Sequence, residues 1–130
     1  MAPKQIILKV RAHLSGIAGS LGFGFTKNRK HGTIAFINVR DKVWRIKSGD
    51  AEMVHGQCLI NQGSNEFELR IDPAELTCRL VVNGQKAGED VLIASDPYLY
   101  NGVVLHFTNI DEFTLTGVEV VARVDEPSDG

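Results

Sequence analysis

Apolar and polar residues alternate with a period of two along almost the whole chain. Residues 5–14 show the pattern clearly, since every second residue is apolar: Ile6, Leu8, Val10, Ala12 and Leu14. This alternation is typical of strands with one buried face, whereas an amphipathic helix repeats every three or four residues. Gly, Asn, Asp and Pro interrupt the pattern at short intervals, as turns do. The sequence therefore predicts an all-β chain with almost no helix.

The alternation predicts about 10–11 antiparallel strands. The clearest is 66–72, in which Phe67, Leu69 and Ile71 face inward. Asn83-Gly84 predicts a tight hairpin turn, because Asn and Gly tolerate the positive φ of such turns. The apolar residues that alternate inward are Phe113 and Leu115 before Gly117 but Val118 and Val120 after it. This change of register predicts a β-bulge at Gly117. The other predicted strands are 5–14, 21–25, 33–41, 43–47, 57–61, 77–82, 91–94, 103–107 and 113–124.

Length and charge restrict the class of protein. A chain of 130 residues suits one domain, 1–130, with an acidic flexible tail predicted at 126–130. Its net charge is −2 and no basic stripe is visible, which argues against nucleic acid as a partner. No apolar run is long enough for a membrane span. The N-terminus has no secretory core, so we expect a cytoplasmic or leaderless-secreted protein without a signal peptide.

The two cysteines, Cys58 and Cys78, match no zinc-binding spacing. Both alternate in phase with apolar neighbours, and the first interpretation is therefore two small buried hydrophobic residues. A single disulfide bridge between them is the alternative. We expect no metal and no cofactor.

The segment 33–41 contains the best candidate for a binding site. Its alternation sends Ala35, Ile37 and Val39 to the core, and the other face receives an aromatic ring, an amide and a guanidinium: Phe36, Asn38 and Arg40. On the next predicted strand, Arg45 and Lys47 alternate to the same outward face. Trp44 of that strand alternates to the opposite face and is predicted to be in the core. Such a polar face is typical of a ligand-binding surface.

Several segments resemble the galectins, which are jelly-roll lectins of the concanavalin-like group. Residues 67–71, 78–85 (with Asn83-Gly84-Gln85), 103–107 and 113–120 follow the order of galectin strands. Residues 36–40, Phe-Ile-Asn-Val-Arg, are similar to the H-x-N-P-R of the galectin sugar-binding strand. The resemblance implies an antiparallel jelly-roll β-sandwich that binds glycans or glycoproteins, performs no catalysis and needs no metal. A homodimer through strand edges is reasonable for this fold.

The galectin pattern is incomplete in this sequence. Phe36 replaces its His, and the family's W-G-x-E-x-R falls near 48–52, where the Trp is missing. Losing that stacking ring would cost about 1–3 kcal/mol of binding free energy, so we expect β-galactoside binding to be weak or changed in specificity. The residues predicted to bind carbohydrate are Phe36, Asn38, Arg40, Arg45, Lys47, Asp50 and Glu52.

Other interpretations remain open at this stage. The chain could keep the galectin fold as a structural or protein-interaction domain without sugar binding, or be a laminin-G-like or glucanase-like accessory domain. Glu66 and Glu68 stand about 6.5–7 Å apart on one strand face, near the spacing of glycosidase carboxylates. Arg70 continues that stripe, however, which favours an ordinary polar face. Arg45 and Lys47 would suit a sulfated or sialylated glycan, or could pair with Asp50 and Glu52 on a solvated face.

Overall fold

The computed structural model describes residues 5–16, 19–28, 31–49, 54–57, 60–93, 97, 100–108 and 113–123. Almost all of this part of the chain is extended. The strands are β1 (Gln5–Leu14), β2 (Ser20–Lys27), β3 (His31–Asn38), β4 (Val43–Ser48), β5 (Val54–Gln57), β6 (Gly63–Asp72), β7 (Thr77–Val82), β8 (Gln85–Lys86), β9 (Val91–Leu92), β10 (Gly102–Thr108) and β11 (Phe113–Arg123). The predicted tail at 126–130 lies outside the described residues.

The strands form two antiparallel sheets. Sheet A has the order β11-β1-β6-β7-β8, with β9 also paired to β7, and sheet B has the order β10-β2-β3-β4-β5. Strands that follow each other in the chain often lie in opposite sheets, as β1 and β2 do, and β10 and β11. This crossing between two layers is the topology of a jelly roll. The predicted all-β jelly-roll sandwich is confirmed.

The core lies between the sheets, where the inward apolar side chains of both meet. Phe23 of sheet B packs against Phe67 of sheet A, with ring centroids 5.9 Å apart. Trp44 is 3% exposed and donates its indole N–H to the carbonyl oxygen of Ala87 at 2.8 Å. A Cβ on Gly88 would lie 2.4 Å from this indole ring, so the packing requires glycine there. Trp44 is a core residue, as predicted.

Two local predictions from turn chemistry are also confirmed. Asn83 and Gly84 have φ values of 52° and 81°, as a tight hairpin between β7 and β8 requires. The side-chain oxygen of Asn83 accepts a hydrogen bond from the backbone N–H of Glu66 at 2.9 Å. At the bulge, Arg11 faces Gly117 while the next residue of β1 faces Leu115, so β11 contains one extra residue.

The two differences from the predicted strands that matter most lie at β3 and β5. β3 ends at Asn38 instead of residue 41, because residues 39–42 form the turn into β4, with Lys42 at a φ of 56°. The strand predicted at 57–61 is wrong, since β5 occupies Val54–Gln57 and Ile60 lies outside any strand. β5 contains one strongly strand-favouring residue, Val54, and is extended because it pairs with β4.

The apolar residues of β11 face the side that the sequence predicts, but they are not fully buried. Val118 and Val120 pair with Val10 and Leu8, both completely buried, yet retain 44% and 52% exposure. β11 is the edge strand of sheet A and β10 the edge strand of sheet B, where Val103 is 44% exposed. Within the part of the chain that the structure describes, these two edge strands are therefore incompletely covered.

Cys78 is a free, buried thiol, in agreement with the first interpretation, and Cys58 lies outside the described residues. Burial, with a smaller contribution from Asp90, raises the pKa of Cys78 to about 12. The thiolate, which is the reactive form, is therefore nearly absent at neutral pH.

We predict that Trp44→Phe lowers the free energy of unfolding by about 1–3 kcal/mol, because the Ala87 carbonyl loses its buried donor. Arg45→Ala, one residue away on the exposed face, should cost at most about 1 kcal/mol. Urea unfolding followed by circular dichroism measures both. A larger loss for Arg45→Ala than for Trp44→Phe would contradict this assignment of the two faces.

We predict that Cys78 does not react with iodoacetamide at pH 8 while the protein is folded, and reacts fully in urea. With a pKa of about 12, only about 1 in 10⁴ of these thiols is ionised at that pH. Mass mapping of the labelled peptides scores Cys78 separately from Cys58. Equal labelling rates with and without urea would show that the thiol is accessible.

Candidate functional site

Four of the seven predicted site residues lie together on the outward face of β3 and β4, here called the sheet B face. Phe36 is directly opposite Arg45, and Ile34 is opposite Lys47. Asn38 follows Phe36 by two residues and so lies on the same side. Asn38, Arg45 and Lys47 are exposed, and Phe36 is half-buried.

A stacked pair occupies the middle of this face. The guanidinium carbon of Arg45 lies 5.8 Å from the centroid of the Phe36 ring, which is a cation–π contact. A Cβ on Gly22 would lie 3.1 Å from the Phe36 ring, so the ring packs over a position without a side chain. The phenyl ring thus packs over Gly22 of β2 and lies within cation–π range of Arg45 of β4.

Asn38 has a structural contact as well as an exposed amide. Its side-chain oxygen accepts a hydrogen bond from the backbone N–H of Asp41 at 3.1 Å, which closes the turn between β3 and β4. Within the described part of the chain, its side-chain N–H groups make no hydrogen bond, and they are available as donors to a ligand.

Arg40 lies in the turn after β3, because the predicted strand 33–41 ends at Asn38, two residues before it. There it lines a cleft of about 200 Å³ whose other walls are Leu14, Gly16, Val39, Lys42, Ile60, Asn61 and Gln62. Its part in a carbohydrate site stays a prediction.

Asp50 and Glu52 lie outside the described residues, and their part in a site stays a prediction. Gly49, which precedes them, has a φ of 56° and donates its backbone N–H to the carbonyl oxygen of Gly32 at 2.8 Å. This left-handed conformation ends β4 and favours glycine at the position.

The sequence interpretation missed two polar residues beside the face. His106 of β10 pairs with Gly22, which in turn pairs with Phe36, so these three lie in one row across sheet B. Nε2 of His106 is 2.9 Å from the hydroxyl oxygen of Thr108. Alternation in β10 does put both residues on the outward side, but only the strand order β10-β2-β3 brings them near Phe36.

The outward face of sheet A has a different character, because its charged residues pair with one another. Glu68 is 5% exposed and contacts both Lys9 and Arg70, and Glu66 contacts Arg11. The N···O distances of the ion pairs in the described part are 3.6 Å for Lys9–Glu68, 3.0 Å for Arg11–Glu66, 2.8 Å for Arg70–Glu68, 2.9 Å for Arg79–Asp90 and 3.2 Å for Lys86–Asp90. This supports the interpretation of Glu66 and Glu68 as a polar strand face.

Two aspartates of sheet A are also engaged in local structure. Asp72 accepts hydrogen bonds from the backbone N–H groups of Ala74 and Glu75, at 3.0 and 3.1 Å. The hydrogen bond from Arg79, more than that from Lys86, lowers the pKa of Asp90. No group of three metal-ligating side chains occurs among the described residues. Nor does that part of the chain contain a helix long and apolar enough to cross a membrane.

Together, the two-sheet topology and the position of this face define a galectin-like jelly-roll sandwich. The sequence matches no protein-family model and no curated protein. The similarity to known proteins is a similarity of fold, and it is seen in the comparison with solved structures.

The chain is similar to sheep galectin-11 in complex with glycerol, with a TM-score of 0.68 and 11% identity over 93% of this chain and 98% of that one. Lactose- and MES-liganded congerin II matches with a TM-score of 0.57 and 13% identity, over 89% of this chain and 90% of congerin II. A Trypanosoma rangeli sialidase in complex with 2,3-difluorosialic acid matches at 0.61 and 14% identity, over 94% of this chain but only 21% of the sialidase.

We predict that Asp90→Asn lowers the free energy of unfolding by up to about 1 kcal/mol at pH 7, as expected for exposed ion pairs. Because its pKa is lowered in the folded state, the contribution of Asp90 is complete above its ordinary value of 3.8 and is lost as the pH falls through the folded value. The free energies of unfolding of the two proteins, measured in urea, should therefore differ at pH 7 and converge as the pH falls below 3.8 and through the folded pKa of Asp90. A constant difference at all pH values would contradict this role.

Proposed function

We propose that this protein is a non-catalytic, galectin-like lectin that binds glycans or glycoproteins on the sheet B face. The observation that carries the proposal is the presence there of Phe36, Asn38, Arg45 and Lys47 on one exposed surface. An aromatic ring beside amide and cationic donors is the combination that sugar recognition uses: the ring contacts C–H groups and the donors bind hydroxyl groups.

The known structures with this fold support the same function. The galectin-11 structure contains glycerol and the congerin II structure contains lactose, so other proteins with this fold bind polyhydroxylated ligands. The identity of 11–13% is too low to transfer their binding residues to this chain. The proposal therefore depends on the side chains of this face.

The specificity we propose differs from that of a β-galactoside lectin. Trp44 is fixed in the core by its hydrogen bond to Ala87 and is not available to stack on a sugar. The guanidinium of Arg45 lies near the Phe36 ring, and Arg40 lies in the turn after β3, where it lines a cleft. Simple β-galactosides should consequently bind weakly, and other glycans should bind better.

The absence of catalysis is also a proposal, and the ion pairs of sheet A support it. Glu66 and Glu68, the one pair of carboxylates that suggested a glycosidase, are held by Arg11, Lys9 and Arg70. A glycosidase activity of the purified protein that disappears in Glu66→Gln would overturn this part of the proposal.

A second candidate is an accessory domain within a longer enzyme. The chain matches 21% of the sialidase, so the same fold occurs there as one part of a larger polypeptide. Such a domain would bind glycans too, and binding assays do not separate the two candidates. The size of the polypeptide in extracts of the source, measured by immunoblotting, does separate them.

We predict that the protein binds immobilised glycans on an array, and that Asn38→Ala weakens the strongest interaction by about tenfold, the equivalent of one hydrogen bond to a hydroxyl group. Gln85→Ala serves as the control, since it removes an exposed amide side chain from sheet A. Thermal unfolding of both variants confirms that the fold is intact.

Binding to no glycan by the folded protein would refute the lectin function and favour a structural or protein-interaction domain. The engagement of the Asn38 oxygen in its own turn is the feature that agrees best with that alternative. If Asn38→Ala and Gln85→Ala have equal effects, the sugar binds on another surface.

A further inference from the structure

The two sheets differ in their acidic residues. The five strands of sheet B contain no Asp or Glu, whereas three of their residues are Lys or Arg: Lys27, Arg45 and Lys47. The strands of sheet A carry both signs, with four carboxylates: Glu66, Glu68, Asp72 and Glu119. Most of the basic residues of sheet A therefore have carboxylates on the same strand or on a neighbouring one, and the strands of sheet B offer none.

The pairing of these charges differs in the same way. Each ion pair in the described part of the chain joins residues on the sheet A side. Arg45 and Lys47 have no carboxylate partner among the described residues. They lie two residues apart on one strand face, about 6.5–7 Å from each other. Two adjacent cations with no counter-charge among the described residues produce a positive potential over that part of the surface.

The Phe36 ring favours one position of the Arg45 side chain before any ligand binds. The guanidinium carbon lies 5.8 Å from the ring centroid, within the range of a cation–π contact, and the ring itself packs over Gly22. The guanidinium N–H groups make no hydrogen bond among the described residues, and such groups bind sulfate or carboxylate oxygens in a bidentate geometry. An ordered side chain loses less conformational entropy on binding than a mobile one.

We infer that the ligand of the sheet B face is an anionic glycan, whose sulfate or carboxylate group binds Arg45 and Lys47. This inference rests on the proposed lectin function and specifies its ligand class. Arg45 supplies the directed hydrogen bonds and Lys47 a second charge. Phe36 is the positioning residue, and Asn38 binds a hydroxyl group of the same sugar chain.

The test uses isothermal titration of the purified protein with lactose, 3′-sulfated lactose and 3′-sialyllactose. The three share one disaccharide, and the last two add a sulfate or a carboxylate. We expect at least about tenfold tighter binding of an anionic sugar than of lactose at low salt, the strength of one charge-assisted hydrogen bond. The preference should shrink at 0.5 M NaCl, because exposed charges are screened.

Arg45→Ala should remove most of this preference, and the double variant Arg45→Ala/Lys47→Ala should bind the anionic and neutral sugars alike. Arg79→Ala is the matched control, because it removes an exposed arginine from sheet A whose partner is Asp90. Phe36→Leu should weaken the preference while Phe36→Tyr retains it, since only the second keeps a ring for the guanidinium. Thermal unfolding shows that each variant is folded.

The outcomes separate this inference from the lectin function beneath it. Binding of neutral glycans without any preference for anionic ones overturns the inference and leaves the lectin function standing. A preference that Arg79→Ala reduces as much as Arg45→Ala also overturns it, as does equally tight binding of a single-stranded DNA oligonucleotide. If the folded protein binds no glycan, both proposals fail together.

Discussion

Burial of the inward apolar side chains between the two sheets is the interaction on which the rest of the structure depends. Phe23 and Phe67 meet across the sandwich, and Trp44 links β4 to the segment after β8 through its hydrogen bond to Ala87. Because successive residues of a strand point to opposite faces, fixing the inward set also fixes the outward one. Phe36, Arg45 and their neighbours face outward as a direct consequence of the core.

The charged residues on the outward faces of the two sheets make different contacts. On sheet A, opposite charges neutralise one another, and Glu68 stays buried because Lys9 and Arg70 contact it. On sheet B, Arg45 stacks on an aromatic ring and has no acidic partner among the described residues. The first arrangement uses its charges for stability, whereas the second leaves them for a ligand, which is why the proposed site lies on sheet B.

Sequence patterns predicted those features that depend on local geometry. Alternation gave the bounds of β1 and the inward position of Trp44, and the dihedral preferences of Asn83 and Gly84 gave the hairpin. They failed where a neighbouring strand decides the outcome. β5 is extended because β4 pairs with it, and the apolar residues of β11 stay partly exposed because none of the described strands covers that edge.

By itself, the sequence determined the fold class and which side chains face outward, because both follow from alternation with a period of two. Only the tertiary structure decided which outward residues meet. It ended β3 at Asn38, so that Arg40 lies in the following turn, and it placed His106 of β10 in one row with Phe36. Strand order and turn position determine such neighbours, and both depend on contacts between residues that are distant in sequence.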